Sequence, residues 1–211
     1  MTAQPLLPFA LAAALGAALP AAAQHASSSN SITLYGGARA GSGFEQANPP
    51  NDPIDMRSGA AGSVGIEWPY DPGRRFQLFM SYQRTELDLG GSAAAGSPAT
   101  MPLQIAYVHI GGLNYFAGPV GTGPYVVGGL GATLMNPSLP GTSARVRPSL
   151  NVGLGYEWPL AQAVALRTEL RGYWTLLDSS GSFFCSGGCV VQIRGTAMAQ
   201  FEAMVGLTFG F

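Results

Sequence analysis

Apolar and polar residues alternate along most of this chain with the two-residue period of a β-strand, whose side chains point to opposite faces. The last run is the clearest. Ala199, Phe201, Ala203, Val205, Leu207, Phe209 and Phe211 take one face, and Gln200, Glu202, Met204, Gly206, Thr208 and Gly210 take the other. Near the start, Ile32, Leu34, Gly36, Ala38 and Ala40 alternate with Thr33, Tyr35, Gly37 and Arg39. The same pattern predicts strands through Val64, Ile66 and Trp68; through Phe76, Leu78, Met80 and Tyr82; and through Val126, Leu130, Ala132 and Leu134. Two more run from Leu150 to Trp158 and from Val164 to Trp174. A strand over 103–116 has an open phase. Leu103, Ile105 and Tyr107 share a face that would include His109, while Gly111-Gly112 offers a bulge that would shift it.

The connections between these eight segments alternate in length. Pro69 to Arg74, Ala117 to Gly123 and Pro159 to Gln162 are tight, whereas roughly 44–57, 86–100, 136–145 and 178–189 are long and polar. An even strand number with short turns at one end and long loops at the other is the pattern of bacterial outer-membrane barrels. The predicted fold is therefore all-β: an eight-stranded antiparallel up-and-down transmembrane β-barrel over residues 31–211.

Composition agrees. Only 10% of the 211 residues are charged, Gly numbers 30, and every basic residue is Arg. A net charge of −1 gives no electrostatic case for nucleic acid. Leu6 to Leu19 is apolar but too short and too Pro-interrupted to span a membrane as a helix. Pro20 and Ala21-Ala22-Ala23 then read as the end of a secretory signal over residues 1–23, with 24–30 a short N-terminal segment.

Alternation alone does not say which face points inward, and a soluble barrel would put its apolar face inside. The charges decide. The less apolar faces carry Arg39, Glu67, Glu157, Arg167, Glu169, Arg171 and Glu202, acids and bases that nearly cancel, as a closed interior requires. Abundant Gly, Ala and Ser on those faces suit the narrow lumen of eight strands. Trp68, Trp158, Trp174, Phe209 and Phe211 lie near strand ends, as interface girdles do. Arg167 and Arg171 are expected to meet Glu157 and Glu202 on neighbouring strands, with Glu67 and Arg39 extending the network. Because eight strands leave an interior just filled by side chains, a salt-bridged plug is favoured over a pore. Gly-x-Glu-Trp-Pro occurs twice, at 65–69 and 155–159. Glu67 and Glu157 are expected in the lumen and Trp68 and Trp158 at the lipid interface, with Pro69 and Pro159 ending the strand pairing.

"LYGGARAG", "PYVVGGLGA", "LNVGLGYEW", "VALRTELRGYW" and the closing "FEAMVGLTFGF" resemble small proteobacterial outer-membrane barrels of the OmpA-type transmembrane superfamily, over about residues 31–211. The resemblance implies the bacterial outer membrane as location and outer-membrane lipid as surroundings. It also implies that the barrel-assembly machinery reads the C-terminal strand ending in Phe211. Some barrels of this size remodel lipid A, and deacylases of this type use a His, a Ser two positions later and an acid. Here His109 is followed by Ile110 and Gly111, so Ser81 or Ser149 would have to come within reach of it. No catalytic residue and no cofactor are expected. Cys185 and Cys189 lack companion metal ligands and, in an exported chain, are expected to form a local disulfide, with free thiols as the alternative. Phe183 and Phe184 beside them, in polar external loops, suggest contact with a host or surface partner. The expected function is a non-catalytic structural or surface barrel. The alternatives are a narrow channel for small or hydrophobic molecules and a lipid A-modifying enzyme.

Overall fold

The computed structural model describes residues 30–41, 44–46, 53–88, 100–138, 142–177, 193–194 and 197–211. The expected signal segment, Phe183, Phe184, Cys185 and Cys189 lie outside these residues. Eleven strands are present among them: β1 Ser31–Gly41, β2 Phe44–Gln46, β3 Pro53–Met56, β4 Gly59–Asp71, β5 Arg74–Asp88, β6 Thr100–Tyr115, β7 Gly123–Pro137, β8 Arg145–Ala161, β9 Val164–Leu176, β10 Ile193–Arg194 and β11 Ala197–Gly210. Eight of them close into a ring: β1, β4, β5, β6, β7, β8, β9 and β11, each antiparallel to its neighbours. The seam joins β1 to β11, from Ser31 opposite Gly210 to Gly41 opposite Gln200, with Arg39 opposite Glu202. Closure leaves no unpaired edge among the barrel strands, which is what a backbone crossing lipid requires. The barrel strands run from 11 to 17 residues, long enough to cross a bilayer at a tilt and project beyond it.

Apart from the last residues of β4 and β8, every barrel strand keeps one phase. Leu34, Phe76, Ile110, Leu130, Leu154, Leu170, Phe201 and Val205 face outward and are exposed, while the charged and tyrosine-bearing faces are buried inside. In β6 the register runs unbroken through the glycine pair on both sides, so His109 lies in the lumen with Leu103, Ile105 and Tyr107. No bulge forms there because the glycines serve a close approach instead. A Cβ at lumen-facing Gly111 would meet the Gly128 carbonyl, and one at Gly131 would meet that of Val108. Lacking side chains, these residues let the wall curl tightly.

The register shifts fall elsewhere, after Pro69 in β4 and after Pro159 in β8. These prolines do not end the pairing as expected. One residue bulges and one more pair forms, Asp71 with Arg74 and Ala161 with Val164, before two-residue turns at Pro72-Gly73 and Gln162-Ala163. The remaining turn, between β6 and β7, uses Gly121 and Gly123 at φ +89° and +88°, backbone that favours glycine. It tucks Val120 against Leu113, Tyr115, Tyr125 and Val127, closing that mouth of the barrel. At the opposite end, the expected first loop is partly strand. β2 and β3 form a hairpin whose second arm pairs with the end of β5, and β10 adds to β2.

Candidate functional site

The site is the lumen. Its buried charged side chains among the described residues are Arg39, Arg75, Arg167, Arg171, Glu67, Glu157, Glu169 and Glu202, four of each sign. They stack in tiers along the axis. Nearest the short turns, Arg167 binds two carboxylates from opposite walls. Its Nη2 donates to Glu67 Oε2 at 2.8 Å, and its Nε donates to Glu157 Oε2 at 2.8 Å. The carboxylates of the two Glu-Trp-Pro segments, on β4 and β8, thus converge on one guanidinium. Glu67 also accepts from Gln77 at 3.0 Å and Ser31 at 3.1 Å, and pairs with Arg75 at 3.4 Å. Tyr115 donates to Glu157 and accepts from Arg167 at 2.9 Å.

In the middle tier Arg171 donates through Nε to Glu169, two residues earlier on the same strand face, at 2.6 Å and through Nη2 to Gln77 at 3.1 Å. Its guanidinium lies 3.6 Å from the Phe79 ring centroid. Tyr125 gives Glu169 a second bond at 2.7 Å. The next tier joins Arg39 to Glu202 at 2.7 Å, with Tyr173 donating to the same carboxylate at 2.6 Å and Ser63 at 3.3 Å. Tyr107 and Tyr173 rings lie 5.1 and 4.9 Å from the Arg39 guanidinium, within cation–π range. Above this, towards the long loops, Met56, Leu87, Met101, Leu103, Ile105, Met135, Leu177 and Met198 fill the bore.

The seven charged residues expected in the lumen are buried there, and Arg167 meets Glu157 as expected, but the partner of Arg171 differs. Arg171 sits opposite Glu202 in the β9–β11 register, yet Glu202 is taken by Arg39 across the seam and Arg171 turns to Glu169. Backbone register places Cβ atoms, and long side chains then choose the partner that also leaves the other carboxylates bonded. Arg75 and the tyrosines Tyr35, Tyr107, Tyr115, Tyr125 and Tyr173 complete the network and were not foreseen. Tyr35 stands at an alternate position to Arg39 on β1, and Tyr173 to Arg167, Glu169 and Arg171 on β9, which is the signal that could have found these two.

Outside, Trp68, Trp158 and Phe209 are about 40% exposed and Phe211 is 70% exposed, all at the short-turn end of the wall. Trp174 lies at the other end of β9 and is half-buried, edge-on to Phe201 at 6.1 Å. Two opposed aromatic zones border an apolar belt. His109 does reach a serine: Nε2 is 2.9 Å from Ser149 Oγ. Both are buried in the lumen, away from any lipid-facing surface, and Nδ1 has no hydrogen-bond partner to orient the ring. Among the described residues no group of three or more His, Cys, Asp or Glu converges to hold a metal.

Solved structures share this architecture. Neisserial surface protein A superposes with a TM-score of 0.57 at 13% identity, over 86% of this chain and 97% of that one. The outer membrane protein AlkL gives 0.56 at 12%, over 93% and 97%. OprG of Pseudomonas aeruginosa gives 0.52 at 10%, over 87% and 97%. The girdled belt and this fold define the class: a small transmembrane β-barrel of the bacterial outer-membrane type. No protein-family profile matches the chain, and no curated protein is significantly similar to it.

Proposed function

We propose that the protein is a non-catalytic structural barrel of the outer membrane, with a sealed lumen that holds the wall rigid and external loops available to surface partners. The observation that carries this is the ion-pair column: four arginines and four glutamates, each at most 6% exposed, with Val120 beneath and a methionine- and leucine-rich layer above. Burying so many charges is costly unless each is paired and hydrogen-bonded, and here each carboxylate has at least two donors. The lumenal position of His109 and Ser149, with no carboxylate on the ring, speaks against lipid A chemistry. Purified barrel in planar bilayers should give no large, stable conductance; sustained open channels at moderate voltage would overturn the sealed-lumen reading.

A second reading, a narrow path for small hydrophobic molecules, draws support from the apolar upper bore, which would favour such solutes over ions. Its test is uptake of an apolar dye by proteoliposomes, which under the sealed-lumen reading does not exceed that of empty liposomes. Exposed Phe211, at the end of an alternating strand, supports recognition of that strand by the barrel-assembly machinery.

A further inference from the structure

The lipid-facing wall is not uniformly covered. One transverse row crosses β5, β6, β7 and β8 through the register partners Phe76, Gly112, Gly128 and Val152, all facing outward. Two missing side chains in the middle of this row leave a trough with Phe76 as one wall and Val152 as the other. This open groove offers about 560 Å³ on the lipid-facing surface. Ile110 and Leu130, 70% and 72% exposed, stand side by side in the next row and close the end towards mid-membrane. The other end is bordered by the row of Arg74, Asn114 and Val126, at the short-turn side of the barrel, the periplasmic side in barrels of this type. Tyr70, edge-on to Phe76 at 4.8 Å, stiffens that wall.

We propose that this trough seats one acyl chain of an anionic phospholipid from the periplasmic leaflet, with the phosphate at Arg74. The depth fits. Four residues from Asn114 to Ile110 span about 14 Å along the strand, or about 11 Å along the membrane normal at the usual tilt, close to half of a ~25 Å apolar belt. One leaflet's chain therefore fills it from interface to midplane. The charge fits as well. Arg74 is exposed, and its ion pair among the described residues, to Asp71 at 3.7 Å, is long and also exposed, which leaves the guanidinium accessible to a phosphate. Lipid tails are as apolar as the wall, so selection of this place comes from packing into the concavity and from the headgroup. The inference concerns the outer surface and stands whether or not the lumen conducts.

Gly128 allows the test. Its backbone needs no positive φ, and an added Cβ would meet only the Asn151 carbonyl at 3.5 Å, so a larger residue projects into the trough without disturbing the wall. Folded barrel would be exchanged in mild detergent into equimolar phosphatidylglycerol and phosphatidylcholine of identical chains, and retained lipid counted by native mass spectrometry. The wild-type barrel should keep one lipid and prefer phosphatidylglycerol by up to about fivefold, the reach of one exposed charge. Gly128→Leu should lower retention of both lipids roughly tenfold, while Ala203→Leu, which adds the same side chain to the opposite wall, leaves it unchanged. Arg74→Gln should keep the lipid and lose the preference. Equal retention in Gly128→Leu and wild type, an equal fall in Ala203→Leu, or no headgroup preference in wild type overturns the proposal. Heat-dependent gel mobility checks folding. Should Gly128→Leu fail to fold, the Arg74→Gln comparison decides, since that exposed side chain leaves the trough intact.

Discussion

Arg167 is where the interior is most concentrated. It is fully buried, holds Glu67 and Glu157 at once, and receives further support from Tyr35 at 3.3 Å and Tyr115. Removing it leaves two carboxylates short of their principal cation in a low-dielectric bore. Arg167→Met should therefore cost about 3–5 kcal/mol, read by urea-induced unfolding in lipid vesicles. Adding Glu67→Gln and Glu157→Gln to the same variant should recover a large part of that loss, because neutral amides carry no uncompensated charge. A triple variant no more stable than the single one would mean that packing around the guanidinium, and not charge pairing, sets its role. The exposed Arg57–Glu86 pair, 2.8 Å apart, is the counter-example: Glu86→Gln should change stability by less than about 1 kcal/mol in the same assay. Distance is similar in the two places, and solvent screening makes the difference. The lumenal position of the seven charged residues was legible from parity, since each interrupts an alternating run on the less apolar face. Of their pairing, Arg167 with Glu157 was legible and Arg171 with Glu202 was not, because the choice among carboxylates depends on reach across a bore whose width no local pattern encodes.

At the scale of the element, strand phase governs everything, and glycine sets where the wall can bend. Gly131 and Gly62 look alike in sequence, each a glycine within an alternating strand. Gly131 faces the lumen where a Cβ would run into the Val108 carbonyl, whereas Gly62 faces lipid with nothing within 4 Å. Gly131→Val should abolish the folded, heat-modifiable band, and Gly62→Val should retain it or strengthen it, since a β-branched side chain suits an exposed strand surface. The same contrast explains why the double glycine in β6 produces no bulge while the two Glu-Trp-Pro strands do. Proline lacks the N–H that would continue the ladder, so the extra residue is inserted after it. Strand β11 carries its own test. Under the proposed recognition of this strand by the barrel-assembly machinery, Phe211→Ala, which removes an exposed aromatic without touching the lumen, should slow insertion in cells while the purified variant still folds in detergent.

For the whole molecule, closure turns eight marginal amphipathic strands into one cooperative unit. Each wall strand is bonded on both sides, and ion pairs tie β4, β5, β8 and β9 to one another through the interior and β1 to β11. The expectation of no stable conductance belongs at this scale, because it depends on Val120, the tiers and the apolar layer acting in series.

The sequence alone determined the strand count of the barrel, the assignment of faces, the unequal ends and the lumenal set of seven charged residues. These follow from period-two alternation and from the cost of placing charge in lipid, both local properties. Tertiary structure decided what is non-local. It brought the two Glu-Trp-Pro carboxylates, from strands four apart in the ring, onto a single arginine. It gave Glu202 to Arg39 in place of Arg171, and it set two lipid-facing glycines side by side to open a trough. The first two depend on closure, which brings residues far apart in the chain within a few ångströms of one another, and the third on the register of two consecutive strands.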